Sequence, residues 1–122
     1  MFCVYDYSNF PIVKVTFNGI IHNENDFALF TDQWKALYKD KCKFKFIFDM
    51  EGMGLINPYW SYRVASFISE LKKEPIQYLE QSTIINIKSY VSYLLKIVFT
   101  VQSPVAPVII QLTDGSSFTI NP

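Results

Sequence analysis

The sequence predicts a single α/β domain, a mixed β-sheet of four to six strands with three main α-helices, in the order β-β-α-β-α-β-α-β-β. Three observations carry this. Hydrophobic periodicity switches along the chain between two residues and about 3.6. The 122 residues are 50% hydrophobic and 17% aromatic, enough for a true core in one domain. Proline, glycine and asparagine fall between the periodic segments, where turns belong.

Phe2 to Tyr7 gives a short first strand. Pro11 interrupts before Ile12 to Phe17, in which Val13, Val15 and Phe17 share one face. Asn18-Gly19 then predicts a turn. Asn23-Glu24-Asn25-Asp26 offers N-cap and acidic first-turn chemistry. The helix after it carries Phe27, Phe30, Trp34, Leu37 and Tyr38 in one stripe, with Asp32, Lys35 and Lys39 outside it.

Phe44 to Phe48 is aromatic and branched, which favours a strand ending at Asp49. Asn57 caps the next helix, with Pro58 at its first position. Trp60, Val64, Phe67, Ile68 and Leu71 form its apolar stripe, and Pro75 closes the unit. Gln81 to Ile87 predicts a buried strand, and Ser89 to about Thr100 a third helix. Pro104 and Pro107 mark a loop to a strand from Val108 to Leu112. Asp114-Gly115 then turns the chain into an edge strand, Phe118 to Ile120. Pattern alone leaves open whether the helices lie on one face of the sheet or on both.

Composition excludes several classes. Only 18% of residues are charged, which argues against disorder. Eleven basic residues offset eleven acidic ones, so nucleic acid is not an expected partner. Cys3 and Cys42 form no disulfide framework and no metal-ligand pattern. The first residues lack a basic segment and an apolar run, so no signal peptide is expected and the thiols belong to a reducing, cytoplasmic compartment. The longest apolar region, Thr83 to Val101, is broken by Asn86, Lys88, Ser89, Ser92 and Lys96, so it is not expected to be transmembrane.

The stretch from Phe46 to Asn57 resembles the STAS family, the anti-sigma-factor-antagonist fold. An apolar strand ends in Asp49, Gly52 follows, and Asn57 stands where that family has a helix-capping aspartate. The likeness spans roughly residues 11 to 112. Ser82 to Ile87 followed by the apolar helix Tyr90 to Phe99 is similar to the core of CRAL-TRIO lipid carriers. The STAS resemblance implies a protein-interaction module, and the CRAL-TRIO resemblance implies lipid binding. The phosphorylated serine of bacterial STAS switches has no counterpart here. That neighbourhood is Asn57-Pro58-Tyr59-Trp60, and Ser61 comes at least a residue too late.

Little in the chain converges on catalysis, and no cofactor is expected. His22 is the only histidine and sits at a turn beside Asn23. Asp49 and Glu51 form a carboxylate pair near the carboxyl end of a central strand, where α/β proteins place their sites. They could serve as acid and base or hold Mg²⁺; the plainer role is Asp49 bonding loop amides while Glu51 is solvated. Gly52 and Gly54 suit a tight turn better than a phosphate cradle, because the lysine of a P-loop is missing.

The third helix is the most informative element. At about 100° per residue, Ser89, Ser92, Lys96 and Thr100 crowd into a wedge of roughly 80°. Apolar residues occupy the rest, more than twice the stripe that a helix on a sheet requires. Cover from the Pro104–Pro107 loop, a protein partner or second copy, or a lipid would each satisfy the excess. Tyr59, Tyr62, Tyr78, Tyr90 and Tyr93 cannot all be core residues, and tyrosine suits interfaces. The expected interaction residues are therefore Tyr59, Tyr90, Tyr93, Leu94, Ile97 and Phe99, with Asp49, Glu51 and Asn57 as a candidate loop site.

Overall fold

Alternation along the strands sets the architecture. In β2 (Ile12–Gly19), Val13, Val15 and Phe17 are buried while Ile12, Lys14 and Thr16 are exposed. The pattern recurs in β1 (Cys3–Asp6) and β3 (Phe44–Met53), where Cys3, Tyr5, Phe44, Phe46, Phe48 and Met50 are buried. The computed structural model describes residues 1–55 and 57–122, apart from the side chains of residues 90, 93, 94 and 97.

Three helices among the described residues connect the parallel strands: α1 (Glu24–Lys39), α2 (Pro58–Leu71) and α3 (Ser89–Val101). β4 (Leu79–Ile87), β5 (Val108–Leu112) and β6 (Ser117–Ile120) complete one six-stranded sheet in the order β1-β2-β3-β4-β5-β6. The pairs β2–β3, β3–β4 and β4–β5 are parallel, and the two edge strands are antiparallel to their neighbours. Each crossover adds the next strand on the same side. With crossovers of one hand, every helix then lands on the same face. Phe30 and Trp34 of α1, Ile68 of α2 and Phe99 of α3 accordingly meet Phe48 and Ile84 of the sheet.

Local chemistry starts and stops these elements. Asn23 Oδ1 caps α1 by accepting the Asp26 N–H at 3.0 Å, and Asp26 Oδ2 reaches back to accept the N–H of His22, just before the cap, at 2.9 Å. Asn57 Oδ1 accepts the Tyr59 N–H at 2.8 Å, with Pro58 opening α2. Gln77 joins two helix ends: its Nε2 donates to the Leu71 carbonyl at 2.7 Å, and its Oε1 accepts the Tyr38 hydroxyl at 2.6 Å. Asp114 Oδ1 takes the Ser116 N–H at 2.9 Å, and Gly115 adopts the positive φ of the turn into β6.

The core is most aromatic beneath α1. The Trp34 ring lies 4.9 Å from Phe46 and 5.3 Å from Phe67, both edge to face. Such pairs contribute about 0.5–1.5 kcal/mol beyond the area they bury. Among the described residues, the buried Trp34 Nε1 has no hydrogen-bond partner, which costs about 1–3 kcal/mol.

Two sequence expectations are corrected. Asn18 and Gly19 are not a turn but the end of β2, paired with Gly52 and Met53. β3 does not end at Asp49, because beyond that residue it still finds a partner in β2. No helix among the described residues is long and apolar enough to cross a membrane.

Candidate functional site

The carboxyl ends of β2 and β3 bring two loops together. The Gly54 N–H donates to the Gly19 carbonyl at 2.8 Å. A Cβ on Gly52 would lie 2.6 Å from the Phe17 carbonyl oxygen, and one on Gly54 would lie 2.7 Å from Ile20 Cγ2. Both glycines therefore permit close approach of the two chains. On this frame Ile20, Leu55, Tyr59 and Tyr62 stand exposed, Leu55 at 62% and Tyr62 at 66%.

Arg63 fixes the Tyr59 end of the patch. Its Nη1 and Nη2 donate to the two Glu24 carboxylate oxygens, the latter at 3.0 Å, and Nη1 also reaches the Tyr59 hydroxyl oxygen at 3.0 Å. The guanidinium lies 4.7 Å from the Phe27 ring centre and 5.6 Å from that of Trp60. These hydrogen bonds hold the Glu24 carboxyl below its ordinary range. The clamp ties α1 to α2, and the Tyr59 ring lies edge-on to Trp60, 5.0 Å away.

Asp49 and Glu51 have separate surroundings. Asp49 Oδ1 accepts the Glu51 N–H and Asn86 Nδ2, each at 3.1 Å, while Oδ2 lies 3.8 Å from Lys14 Nζ. One carboxylate thus joins β2, β3 and β4 where their pairing loosens. Glu51 is exposed, and Asn57 is spent on its helix cap. Among the described residues, no group of three or more His, Cys, Asp or Glu could hold a metal ion. His22 is exposed at its turn. Burial pushes the Cys3 thiol up to about 11, and Cys42 is exposed with its thiol on the Asp40 carbonyl at 3.4 Å.

Along α3, Val91 and Val98 are buried, and Leu95 and Phe99 pack partly buried against the core. Phe99 is turned inward, against the expected outer surface, and meets Pro104, Val105 and Ala106 of the following loop. Ser92 is buried although expected in the polar wedge. Its hydroxyl donates to the Ser89 carbonyl at 3.0 Å, which removes the desolvation cost. Lys96 lies over the Phe118 ring at 4.3 Å, and Val101 is exposed. The side chains of Tyr90, Tyr93, Leu94 and Ile97 lie outside the described ones, as does all of Ile56 in the STAS-like stretch. Between sheet and helices, α3 included, lies an apolar cavity of about 90 Å³ walled by Phe48, Ile84, Leu95 and Phe99 among others.

Sequence reasoning named Tyr59 and Tyr62 but missed Ile20, Leu55 and the Arg63–Glu24 clamp. An apolar residue directly after each loop glycine was the available signal for the first two. The clamp joins residues 39 apart and left no local trace. Comparison with protein-family models, curated proteins and solved structures finds no match.

Proposed function

We propose that this chain is a non-catalytic, STAS-like protein-interaction module that works without a phosphoserine switch. Its contact surface combines the Ile20–Leu55–Tyr59–Tyr62 patch with the surplus apolar surface of α3. The carrying observation is four exposed large apolar residues: Ile20 and Leu55 beside the Gly54–Gly19 hydrogen bond, and Tyr59 and Tyr62 on the first turns of α2, where Arg63 reaches the Tyr59 hydroxyl. Side chains carried on a helix lose little backbone freedom on binding, which favours Tyr59 and Tyr62 as contact residues. The lack of a switch agrees with the place of Ser61, one turn into α2 with its hydroxyl directed at the Asn57 carbonyl at 3.5 Å.

Native against denaturing mass of gently purified protein tests this reading. The expected result is protein-sized extra mass that Leu55→Asp and Tyr62→Asp remove without lowering the melting temperature. A bare 14.2 kDa chain, or an assembly indifferent to both substitutions, counts against it.

One observation favours a second reading, a small CRAL-TRIO-like lipid-binding protein. The apolar cavity beneath α3 occupies the place a lipid tail would take. At about 90 Å³ it is well below the roughly 300–1,000 Å³ of ordinary ligand pockets. A bound tail therefore requires α3 to move outward. Lipid-sized mass that is lost on denaturation would favour this reading over the first.

A further inference from the structure

The cavity between sheet and helices has a chemistry of its own, apart from the loop patch. Ile21 just past β2, Met50 and Met53 of β3, Val64 of α2 and Leu95 of α3 are among its walls. It therefore sits toward the carboxyl ends of the parallel strands, the end at which open α/β sheets take their ligands. Among the described residues its wall is apolar throughout. Trp34 borders it with ring carbons, while the buried Nε1 faces away.

This wall decides what the space can hold. A buried water needs two to four polar partners, and the wall supplies none. Left empty, the lining atoms lose their dispersion contacts on that side. A non-polar molecule restores those contacts and sheds its own hydration in the same step. The thioethers of Met50 and Met53 are polarisable and adapt to the shape of a guest. Volume sets the size. At about 90 Å³ the space is smaller than the apolar cavity of about 150 Å³ that accepts benzene or xenon. At a liquid volume of about 30 Å³ per water-sized unit, it admits roughly three carbon atoms. Val64, Leu95 and Phe99 line the space and are only half-buried, so the way in runs between α2 and α3.

We propose that this cavity is a dry binding site for a small non-polar molecule of the short-hydrocarbon class, taken with α3 where it stands. Such a ligand shares the cavity with the lipid tail of the second reading, yet needs no long acyl chain and no outward movement of the helix.

Methyl NMR spectra of the protein titrated with dissolved propane test this. The sample is first stripped of any lipid and checked by native mass, so that failure of the lipid reading leaves the titration intact. Propane should give saturable shifts at the methyl groups of Met53, Ile84 and Leu95, and none at Ile47 and Ile109 on the other face of the sheet. It should also raise the melting temperature, since only the folded chain binds it. Ethanol has as many heavy atoms, but its hydroxyl finds no partner in the wall, so it should bind at least about tenfold more weakly. Val64→Ile and Leu95→Phe each add carbon to a half-buried wall and should weaken propane about tenfold or more. Shifts that do not saturate, or that spread evenly over both faces of the sheet, overturn the proposal. So does ethanol bound as tightly as propane, or an affinity for propane that both substitutions leave unchanged. Overhauser contacts from water to the methyl groups of Met53 and Ile84 in the ligand-free protein overturn it as well.

Discussion

The two faces of the sheet are built from alternate residues of the same strands, yet they differ in almost every physical respect. The covered face is dense with Val13, Val15, Phe17, Phe44, Phe46, Phe48 and Ile110, most of them scarcely accessible to solvent. The other face alternates branched apolar residues with lysine, aspartate, threonine and glutamine. The first holds the fold together through packing. The second is free to be chosen for other ends, because changing it removes little buried area. Neighbouring positions on one strand therefore differ sharply in what they contribute to stability.

The sharpest test of that division is a pair of adjacent substitutions in β3. Phe46→Ala should destabilise by about 3–5 kcal/mol in urea titration, through lost burial and a cavity beside Trp34. Ile47→Ala, one residue on, should cost less, about 1–2 kcal/mol, since its side chain is only partly buried. Equal costs would break the comparison. Gly52→Ala should cost about 1–3 kcal/mol, because the new methyl group meets the Phe17 carbonyl rather than a movable side chain. Asn57→Ala, away from both faces, should cost about 1 kcal/mol through the lost helix cap. Lys14→Ala on the uncovered face should fall within about 0.5 kcal/mol of wild type.

Alkali probes the covered face through Cys3. Its thiol is pushed up to about 11 by burial, from an ordinary value near 9. Below pH 9 both folded and unfolded chains hold the proton, and stability is full. As pH rises from 9 toward 11 the unfolded chain loses its proton first, so stability falls. Tyr38, raised by burial to about 12, continues the decline above 10. Cys3→Ala should flatten the first part of the curve of urea midpoint against pH. Exposed Cys42 should be alkylated well before Cys3 in the native protein.

Much of this organisation was legible in the residues. Asn23, Asn57 with Pro58, and Asp114-Gly115 marked their boundaries because capping and turn chemistry is local. The stripes of α1 and α2 named their buried sides because helical spacing is also local. Whether one face or both would be covered was not legible. It depends on strand order, a long-range property that no window of residues contains. The extension of β3 past Asp49 was hidden for the same reason, since its partner Asn18-Gly19 resembles a turn when seen alone. Asp49 was found as a candidate, but its bond to Asn86 spans 37 residues and could not be anticipated.

The sequential order of the strands bears on how the chain is made. Each strand lies beside the one synthesised just before it, at intervals of about 30 residues between parallel neighbours. A ribosome adding about 5–20 residues per second therefore releases one strand-and-helix unit every few seconds. Each unit finds its docking site already in place, and no early strand must wait for a late one to pair between it and its neighbour. Growth of the sheet can follow growth of the polypeptide, from β1 at one edge to β6 at the other.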